Sequence, residues 1–360
     1  MISLLIFIVI LSILIVIHEL GHFILAKRVG VRVEMFSLGF GPKLFGYKHN
    51  DTEYTLRLFP LGGYVKLTGD NWEEYKGNPW EYLAQPIKNR AKILVAGSGF
   101  NYLLAFLCLW LVFIIGYPMF TTKVGELLKD MPAQIAGIQV ADKILAVDDQ
   151  KIIYWDDLQK IIQKKGGETV ALSVLRGNET MQIKVPVEKR EVTSIWGNKQ
   201  SIGLIGVMPS GDFIKVRHGI LGSFYMSFTK TVEMTYVTLK GIVWLILCKM
   251  SFKESVTGPV GIFFLAKGAI KLGISAILHM MAVLSLSLSV FNILPLPILD
   301  GGHLVLLLVE KIKGKIFVKK FDQIWSRVGL TFIVLVGLFV FYNDLVRFGV
   351  VEKITKLFGK

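Results

Sequence analysis

The chain has 360 residues, of which 53% are hydrophobic and 19% are charged. So high a share of apolar residues is untypical of a soluble domain and is typical of a protein that crosses a membrane. The formal net charge of +14 would suit nucleic acid binding, but the basic residues do not form one patch interleaved with aromatic residues, so we expect no nucleic acid partner.

Four apolar stretches qualify as membrane-crossing helices. The first seventeen residues carry no charge, and at about 1.5 Å per residue they nearly cross a hydrocarbon core of about 30 Å. The other three are 93–119, 274–294 and 328–341. A cleaved signal peptide is the alternative for the first stretch, but its basic start and small-residue cleavage site are not visible. The sequence predicts a polytopic α-helical membrane protein with about four transmembrane helices.

Basic residues collect beside these stretches. They are Lys27, Arg28, Arg32, Lys88, Arg90, Lys92, Lys311, Lys313, Lys315, Lys319 and Lys320. The positive-inside rule places the loops that carry them in the cytoplasm. Residues 121–271 then lie outside, because long segments are translocated largely regardless of their charge.

The N-terminal membrane part, residues 1–120, is expected to contain a membrane-edge β-hairpin within 51–67. Residues 54–58 alternate as a strand does, residues 60–63 supply turn chemistry, and residues 64–67 resume the extended pattern.

The outward segment is predicted to contain one compact α+β domain, residues 121–210. Its strand-like runs 170–175 and 181–187 flank a turn, and an amphipathic helix is expected at 156–164. Residues 211–273 are interpreted as an amphipathic helical linker at the periplasmic surface, because their apolar run is short. The C-terminal membrane part, 274–360, follows.

The clearest chemistry lies in His18-Glu19-Leu20-Gly21-His22, at the end of the first stretch. Histidines four residues apart share a helix face, with Cβ atoms about 5–6 Å apart, which suits two Zn–N bonds of about 2.0–2.1 Å. Glu19 lies on an adjoining face, where it can act on water as a general base without being a ligand. A chance match is the alternative. Ionisable residues beside an apolar helix are costly unless they share a partner, so we predict a zinc site.

Two histidines leave a catalytic zinc one protein ligand short, and a carboxylate is a usual third ligand. Asp300 is the candidate, because Pro295 and Pro297 interrupt the apolar stretch before it and free backbone groups that only a cavity within the protein could satisfy. The alternative is that Asp300 caps the next helix. The unfilled ligand position favours the metal, and His303 is expected to be a structural or supporting residue.

With these residues in place, the chain resembles the site-2 protease family (peptidase M50), in its bacterial regulator-of-sigma-E protease type. The resemblance covers nearly the whole chain. It rests on the motif from His18 to His22, on residues 292–302 as the family's N-x-x-P-x-P-x-x-D-G stretch, and on residues 97–101. It implies an intramembrane zinc endopeptidase of the bacterial inner membrane, with zinc held by His18, His22 and Asp300 and water activated by Glu19 near the cytoplasmic side.

The resemblance also implies that the outward domain is a single periplasmic PDZ domain, through Gly125, Gly137 and Asp142. The implied partners are the lipid bilayer and transmembrane protein substrates, for example anti-sigma factors or remnant signal peptides. A peptide carboxyl terminus is the partner implied for the PDZ domain.

A substrate helix must unwind before water can attack its peptide bonds. We expect the hairpin at 54–67 to offer an edge strand to the unwound segment, and Asn292 to hold the substrate backbone by side-chain hydrogen bonds.

Two alternatives come from other functional classes. A catalytically inactive, membrane-tethered PDZ scaffold would be favoured by loss of a catalytic or ligand residue, and all four are present. A metal transporter would need polar residues facing a cavity along several spans, and the second and fourth stretches offer almost none.

Overall fold

The computed structural model describes residues 2–193 and 199–349. The described chain forms two compact units. The first comprises residues 2–112, 224–240 and 256–349, and the second comprises residues 113–223 and 241–255.

Ten α-helices occur in the described residues. They are α1 (Ile2–Arg28), α2 (Ile87–Ile115), α3 (Pro132–Ile135), α4 (Trp155–Lys164), α5 (Ile220–Ile246), α6 (Phe252–Ser255), α7 (Pro259–Leu272), α8 (Ile274–Ile293), α9 (Asp300–Lys313) and α10 (Lys315–Arg347). Helices α1, α2, α8 and α10 are long and apolar enough to cross a membrane. Among the described helices these four match the predicted stretches, so the chain fits a polytopic membrane protein.

The β-structure of the first unit differs from the predicted hairpin within 51–67. It consists of strands β1 (Val33–His49) and β2 (Thr52–Leu67). The prediction does not include β1, and residues 52–67 form a single strand rather than two. Both strands bend at glycines with positive φ, Gly39, Gly41 and Gly62.

The bends place four segments side by side, in the order 43–49, 52–57, 33–38 and 63–67. Phe36, for example, lies opposite Val65 on one side and Tyr54 on the other, and Tyr54 also lies opposite Tyr47. Residues 60–63 therefore do not form a tight turn. Segment 63–67 lies at one edge of this sheet, and its Gly63 packs beside Glu19 of α1.

The second apolar helix begins and ends earlier than the predicted stretch 93–119, at Ile87 and Ile115. Helix α2 ends at Ile115 rather than running to residue 119. Gly116 adopts a φ of +118°, and Pro118 cannot continue a helix. Residues 117–120 instead form strand β3 (Tyr117–Phe120) of the second unit.

Helix α2 is joined to α8 and α9 by buried polar contacts. The Ser285 and Ser289 hydroxyls of α8 donate to the carbonyl oxygens of Asn101 and Ser98, at 2.7 and 2.8 Å. Arg90 of α2 and Glu310 of α9 form a two-pronged ion pair whose side chains are 3% and 6% exposed. These contacts fix the three helices against one another at the level of the candidate site.

The strands of the second unit after β3 are β4 (Val124–Leu127), β5 (Lys143–Val147), β6 (Gln150–Lys151), β7 (Thr169–Arg176), β8 (Glu179–Pro186), β9 (Glu188–Thr193), β10 (Lys199–Leu204), β11 (Val207–Pro209) and β12 (Phe213–Val216). They form a four-stranded sheet in the order β6-β5-β7-β8 and three further strand pairs, β3 with β12, β4 with β11, and β9 with β10. Strands β7 and β8 and helix α4 lie where the sequence predicts two strands and an amphipathic helix. Ile144, Leu158 and Leu172 are among the buried residues of the core of this unit.

An ion pair between buried Asp142 and partly exposed Arg176 stabilises this unit. The Asp142 carboxylate is 1% exposed and accepts hydrogen bonds from Arg176 Nε and Nη2 at 2.8 and 2.7 Å. Burial alone would raise the pKa of Asp142, but the Arg176 guanidinium and the backbone N–H of Gln139 outweigh it and lower that pKa. The ion pair therefore stabilises the folded unit above the ordinary pKa of an aspartate, and this stabilisation is lost as the pH falls through the lowered value.

We expect Arg176→Met to lower the thermal unfolding midpoint of the full chain in detergent, because it leaves a carboxylate buried without its partner, a change that costs about 3–5 kcal/mol in other proteins. The gap between wild type and variant should narrow as the pH is lowered from 7 toward about 3. Lys160→Met, on the exposed face of helix α4, removes the same charge and is the control. A gap independent of pH would contradict this account.

Candidate metal centre

Helix α1 places two imidazoles on one face. His18 and His22 are four residues apart, and their Nε2 atoms lie 3.1 Å from each other. Both side chains are largely buried, at 13% and 12% exposure. The His22 Nδ1–H group donates to the carbonyl oxygen of Ile93 on α2, at 2.8 Å. This bond holds the tautomer in which Nε2 carries a free lone pair.

Asp300 brings the third candidate ligand from a different helix. It is the first residue of α9, and its Oδ2 lies 3.3 Å from His18 Nε2 and 3.5 Å from His22 Nε2. The N-cap position of α9 belongs to Leu299 rather than to Asp300. Among the described residues no hydrogen bond reaches Asp300 Oδ2, although this atom is buried. The structure thus brings together all three residues that the sequence singles out as ligands.

These three atoms fit a zinc ion. In a tetrahedral site with bonds of about 2.0–2.1 Å, neighbouring ligand atoms lie about 3.3 Å apart, and the observed separations are 3.1, 3.3 and 3.5 Å. Without a cation, three electron-rich atoms would face one another in a buried space, which is unfavourable. Among the described residues, this is the one group of three His, Cys, Asp or Glu side chains whose donor atoms converge in this way.

Glycines let α2 approach the imidazoles. A Cβ atom at Gly97 would lie 2.3 Å from His22 Nε2 and 2.7 Å from His18 Cε1. On the other helix, a Cβ at Gly21 would lie 2.4 Å from the carbonyl oxygen of Ala96. Since such distances are far below van der Waals contact, no larger residue fits at either position without moving a helix.

Glycines also let the chain around Asp300 pack closely. A Cβ at Gly301 would lie 2.1 Å from the carbonyl oxygen of Ile293, and one at Gly302 would lie 2.1 Å from that of Leu296. The two glycines let the start of α9 pack against the end of α8 and the proline-containing loop. This packing aims the Asp300 carboxylate toward α1.

Asn292 lies beside the predicted ligands. Its Nδ2 is 3.5 Å from both ring nitrogens of His18. Equal distances to both nitrogens place the amide over the face of the ring rather than in line with one lone pair, so this is a packing contact more than a directed hydrogen bond.

Glu19 faces the same cavity but is not one of the three clustered ligands. Its side chain packs beside edge segment 63–67, where a Cβ at Gly63 would lie 3.8 Å from Glu19 Cγ. The cavity has a volume of about 550 Å³. Its wall is formed by His18, Glu19, His22, Val65, Leu67, Asp70, Asn71, Tyr82, Ile93, Leu94, Asn292, Ile298, Leu299, Asp300, His303, Asp322 and Ser326.

Several residues of this wall carry no motif that could have revealed them. Asp70 and Tyr82 lie outside the candidate spans, and burial raises the pKa of each. Asp322 and Ser326 are one turn apart on α10, which makes that helix part of the wall. Only their i, i+4 spacing in an apolar helix could have signalled a shared polar face.

The comparisons with known proteins identify a family. The model of peptidase family M50 matches residues 6–336. The zinc metalloprotease RasP of Oceanobacillus iheyensis is 27% identical and covers 95% of this chain and 98% of its own length. The regulator of sigma-W protease RasP of Bacillus subtilis is 26% identical, with coverages of 95% and 97%.

The four membrane-length helices and the cluster of His18, His22 and Asp300 are those of a membrane protein with a candidate metal centre. The chain belongs to peptidase family M50. It is a zinc metalloendopeptidase of the site-2 type, and zinc is its cofactor.

A solved PDZ domain from the SdrC-like protein of Listeria innocua is also similar to part of the chain. It shares 22% identity, covers 25% of this chain and 92% of its own length, and has a TM-score of 0.20. That score is too low to assign a fold to the second unit.

We expect Gly97→Ala to reduce the affinity for zinc by at least about tenfold, the scale seen when groups that support metal ligands are changed. The added methyl group would push against both imidazoles. Gly99→Ala is the matched control on the same helix, because a Cβ there meets nothing within 4 Å. Zinc per chain, measured by elemental analysis against competing chelator, distinguishes the two. Equal zinc affinity in both variants would disprove the close approach at Gly97.

Proposed function

We propose that this protein hydrolyses peptide bonds within transmembrane helices of single-span membrane proteins. In this proposal His18, His22 and Asp300 hold the zinc ion, and Glu19 is the general base. The convergence of the three donor atoms, 3.1–3.5 Å apart, in a unit with four membrane-length helices is the observation that carries it.

Bound zinc supplies Lewis acidity, which polarises the scissile carbonyl group and makes water easier to deprotonate. Glu19 accepts a proton from the attacking water as the water oxygen bonds to the carbonyl carbon. As the C–N bond breaks, Glu19 returns that proton to the leaving amine nitrogen. Edge segment 63–67 packs beside the Glu19 side chain and helps to keep its carboxylate directed into the cavity. No covalent intermediate with the protein is required.

Edge segment 63–67 supports a role for strand addition. A substrate that unwinds loses its helical hydrogen bonds and must replace them within the low-dielectric site. A strand added beside 63–67 would regain them, and its backbone would lie next to Glu19 because that segment packs beside this residue. Asn292 lines the same cavity, with its Nδ2 3.5 Å from the ring nitrogens of His18, and is placed to bind the same extended backbone.

We further propose that the protein lies in the bacterial inner membrane with the zinc site near the cytoplasmic face and the second unit in the periplasm. The basic residues beside the apolar helices support this orientation. Anti-sigma factors and remnant signal peptides are the proposed substrates, and the relative from Bacillus subtilis is named as a regulator of sigma-W protease.

The second unit is proposed to be a PDZ domain that takes a peptide carboxyl terminus. Helix α4 and the β10–β11 region border an apolar groove of about 170 Å³. Leu158 and Ile162 line it from the helix, and Val207 lines it from strand β11. A groove between a helix and a strand suits an added peptide strand.

Glu19→Gln should reduce cleavage of a single-span substrate by about 10²–10⁴-fold, since an amide cannot accept the proton. The fold and the zinc content should be retained, because Glu19 is not a ligand. Turnover is measured with purified protein in detergent, with and without a chelator, and exposed Glu168→Gln is the control. Full cleavage by Glu19→Gln, or cleavage by metal-free protein, would overturn the proposed function.

Strand addition predicts a period of two in a proline scan of the substrate around its cleavage site. Proline removes a backbone donor, and in a strand only alternate residues point toward the neighbouring edge. Cleavage should therefore fall at the positions whose N–H points toward segment 63–67 and much less at the positions between them. A proline in the middle of the enzyme's own sheet would not test strand addition. Leu56, for example, lies between Leu38 and Phe45, away from the edge. A smooth dependence on position would contradict strand addition.

A further inference from the structure

The residue two positions before Asp300 has an unusual backbone. Ile298 has a φ of +75°, a left-handed conformation that L residues rarely adopt and that is least favourable for a β-branched side chain. Glycine would adopt it without steric cost. Strained residues of this kind persist where the surrounding structure enforces them, and they cluster at functional sites.

The neighbours of Ile298 enforce this conformation. Pro297 on one side packs against Gly329 of α10, where a Cβ would lie 2.2 Å from the proline Cβ. Leu299 on the other side is the N-cap of α9, and its N–H donates to the carbonyl oxygen of Leu296 at 3.3 Å. The backbone on both sides of Ile298 is thus held by contacts of Pro297 and Leu299, and not by the side chain of Ile298 itself.

The side chain of Ile298 is not part of a packed core. It is 39% exposed, and it lines the same cavity as His18, Glu19 and Asp300. Burial therefore gives little stabilisation to offset the unfavourable backbone. What the side chain provides is an apolar wall beside the zinc ligands, in a cavity otherwise bordered by many polar groups.

We propose that Ile298 is a specificity-determining residue that contacts the substrate side chain next to the scissile bond and favours an aliphatic one. This inference rests on the proposed function and identifies part of its substrate class. Ile298 lines the cavity two residues before Asp300 in the chain, so its side chain borders the space that also holds the proposed zinc ligands. An aliphatic substrate residue would remove this exposed apolar surface from water, whereas a polar or charged residue would lose hydration there.

The test combines two substitutions that separate backbone strain from side-chain contact. Ile298→Gly removes both, so its thermal unfolding midpoint should equal or exceed that of wild type. Ile298→Ala removes the contact but keeps the strain, so its midpoint should lie below that of the glycine variant. Zinc per chain should be unchanged in both, which would show that Asp300 has not moved.

Specificity is read from kcat/KM for single-span substrates that carry alanine, leucine or asparagine on either side of the mapped cleavage site. Wild type should prefer leucine to alanine by about tenfold or more at one of these two positions, and both variants should reduce that preference to about threefold or less. Leu308→Ala is the control, since Leu308 is an exposed aliphatic residue of α9 and does not line the cavity. It should keep the wild-type preference.

The outcomes separate this inference from the proposed function. If wild type cleaves no single-span substrate, the proposed function fails. If wild type cleaves but the variants keep its preference, only the assignment of Ile298 is wrong. A lower unfolding midpoint for Ile298→Gly than for wild type, with unchanged preference, would mean that the side chain packs against protein or lipid instead.

Discussion

Three buried, electron-rich side-chain atoms lie close together, and the structure depends on a common partner that satisfies all three. His18 Nε2, His22 Nε2 and Asp300 Oδ2 lie within 3.5 Å of one another among apolar helices, where an unpaired polar atom is costly. A bound cation interacts favourably with all three atoms and so removes that cost. The packing of the surrounding helices follows from this requirement, because α1 and α9 must come unusually close for their ligands to meet.

Small residues and prolines meet this geometric requirement. Gly21 and Gly97 let α1 and α2 touch, and Gly301 and Gly302 let α9 start directly beside the end of α8. Between them the loop of Pro295 and Pro297 ends one helix and begins another. The carbonyl oxygens of Ser98 and Asn101 accept hydrogen bonds from α8, so even the backbone groups of the span contribute to its contact with its neighbour.

Local sequence patterns are enough to predict most of the candidate site. The spacing of His18 and His22 fixes their shared face because helical geometry is regular, and Asp300 is the acidic residue of a proline-interrupted apolar segment. The four spans also follow from length and hydropathy, although α2 ends four residues earlier than expected because Gly116 and Pro118 stop it. Long-range pairing cannot be predicted in this way. Phe36 lies between Val65 and Tyr54, and nothing within 51–67 indicates a partner strand at 33–38.

The glycines of α2 also show what local sequence patterns cannot predict. Gly97 and Gly99 are equally plain in the sequence, yet a Cβ at Gly97 would strike an imidazole and a Cβ at Gly99 would meet open space. Only the rotation of α2 about its axis decides between them. For the same reason Val65, Asp322 and Ser326 could not be assigned to the cavity, since their role depends on which elements meet rather than on a local motif.

The ion pair between Arg90 and Glu310 has a consequence for how the centre is assembled. It joins the helix that carries Gly97 to the helix that starts with Asp300, and both of its side chains are almost fully buried. Separating these helices would strand two charges in an apolar medium, so Asp300 is held near α2. The bond from His22 to the carbonyl oxygen of Ile93 ties α1 to the same helix, so the ligands lie near their final positions before any ion arrives. Little conformational entropy is then lost when zinc binds. The binding free energy is therefore reduced only slightly by the cost of ordering the chain.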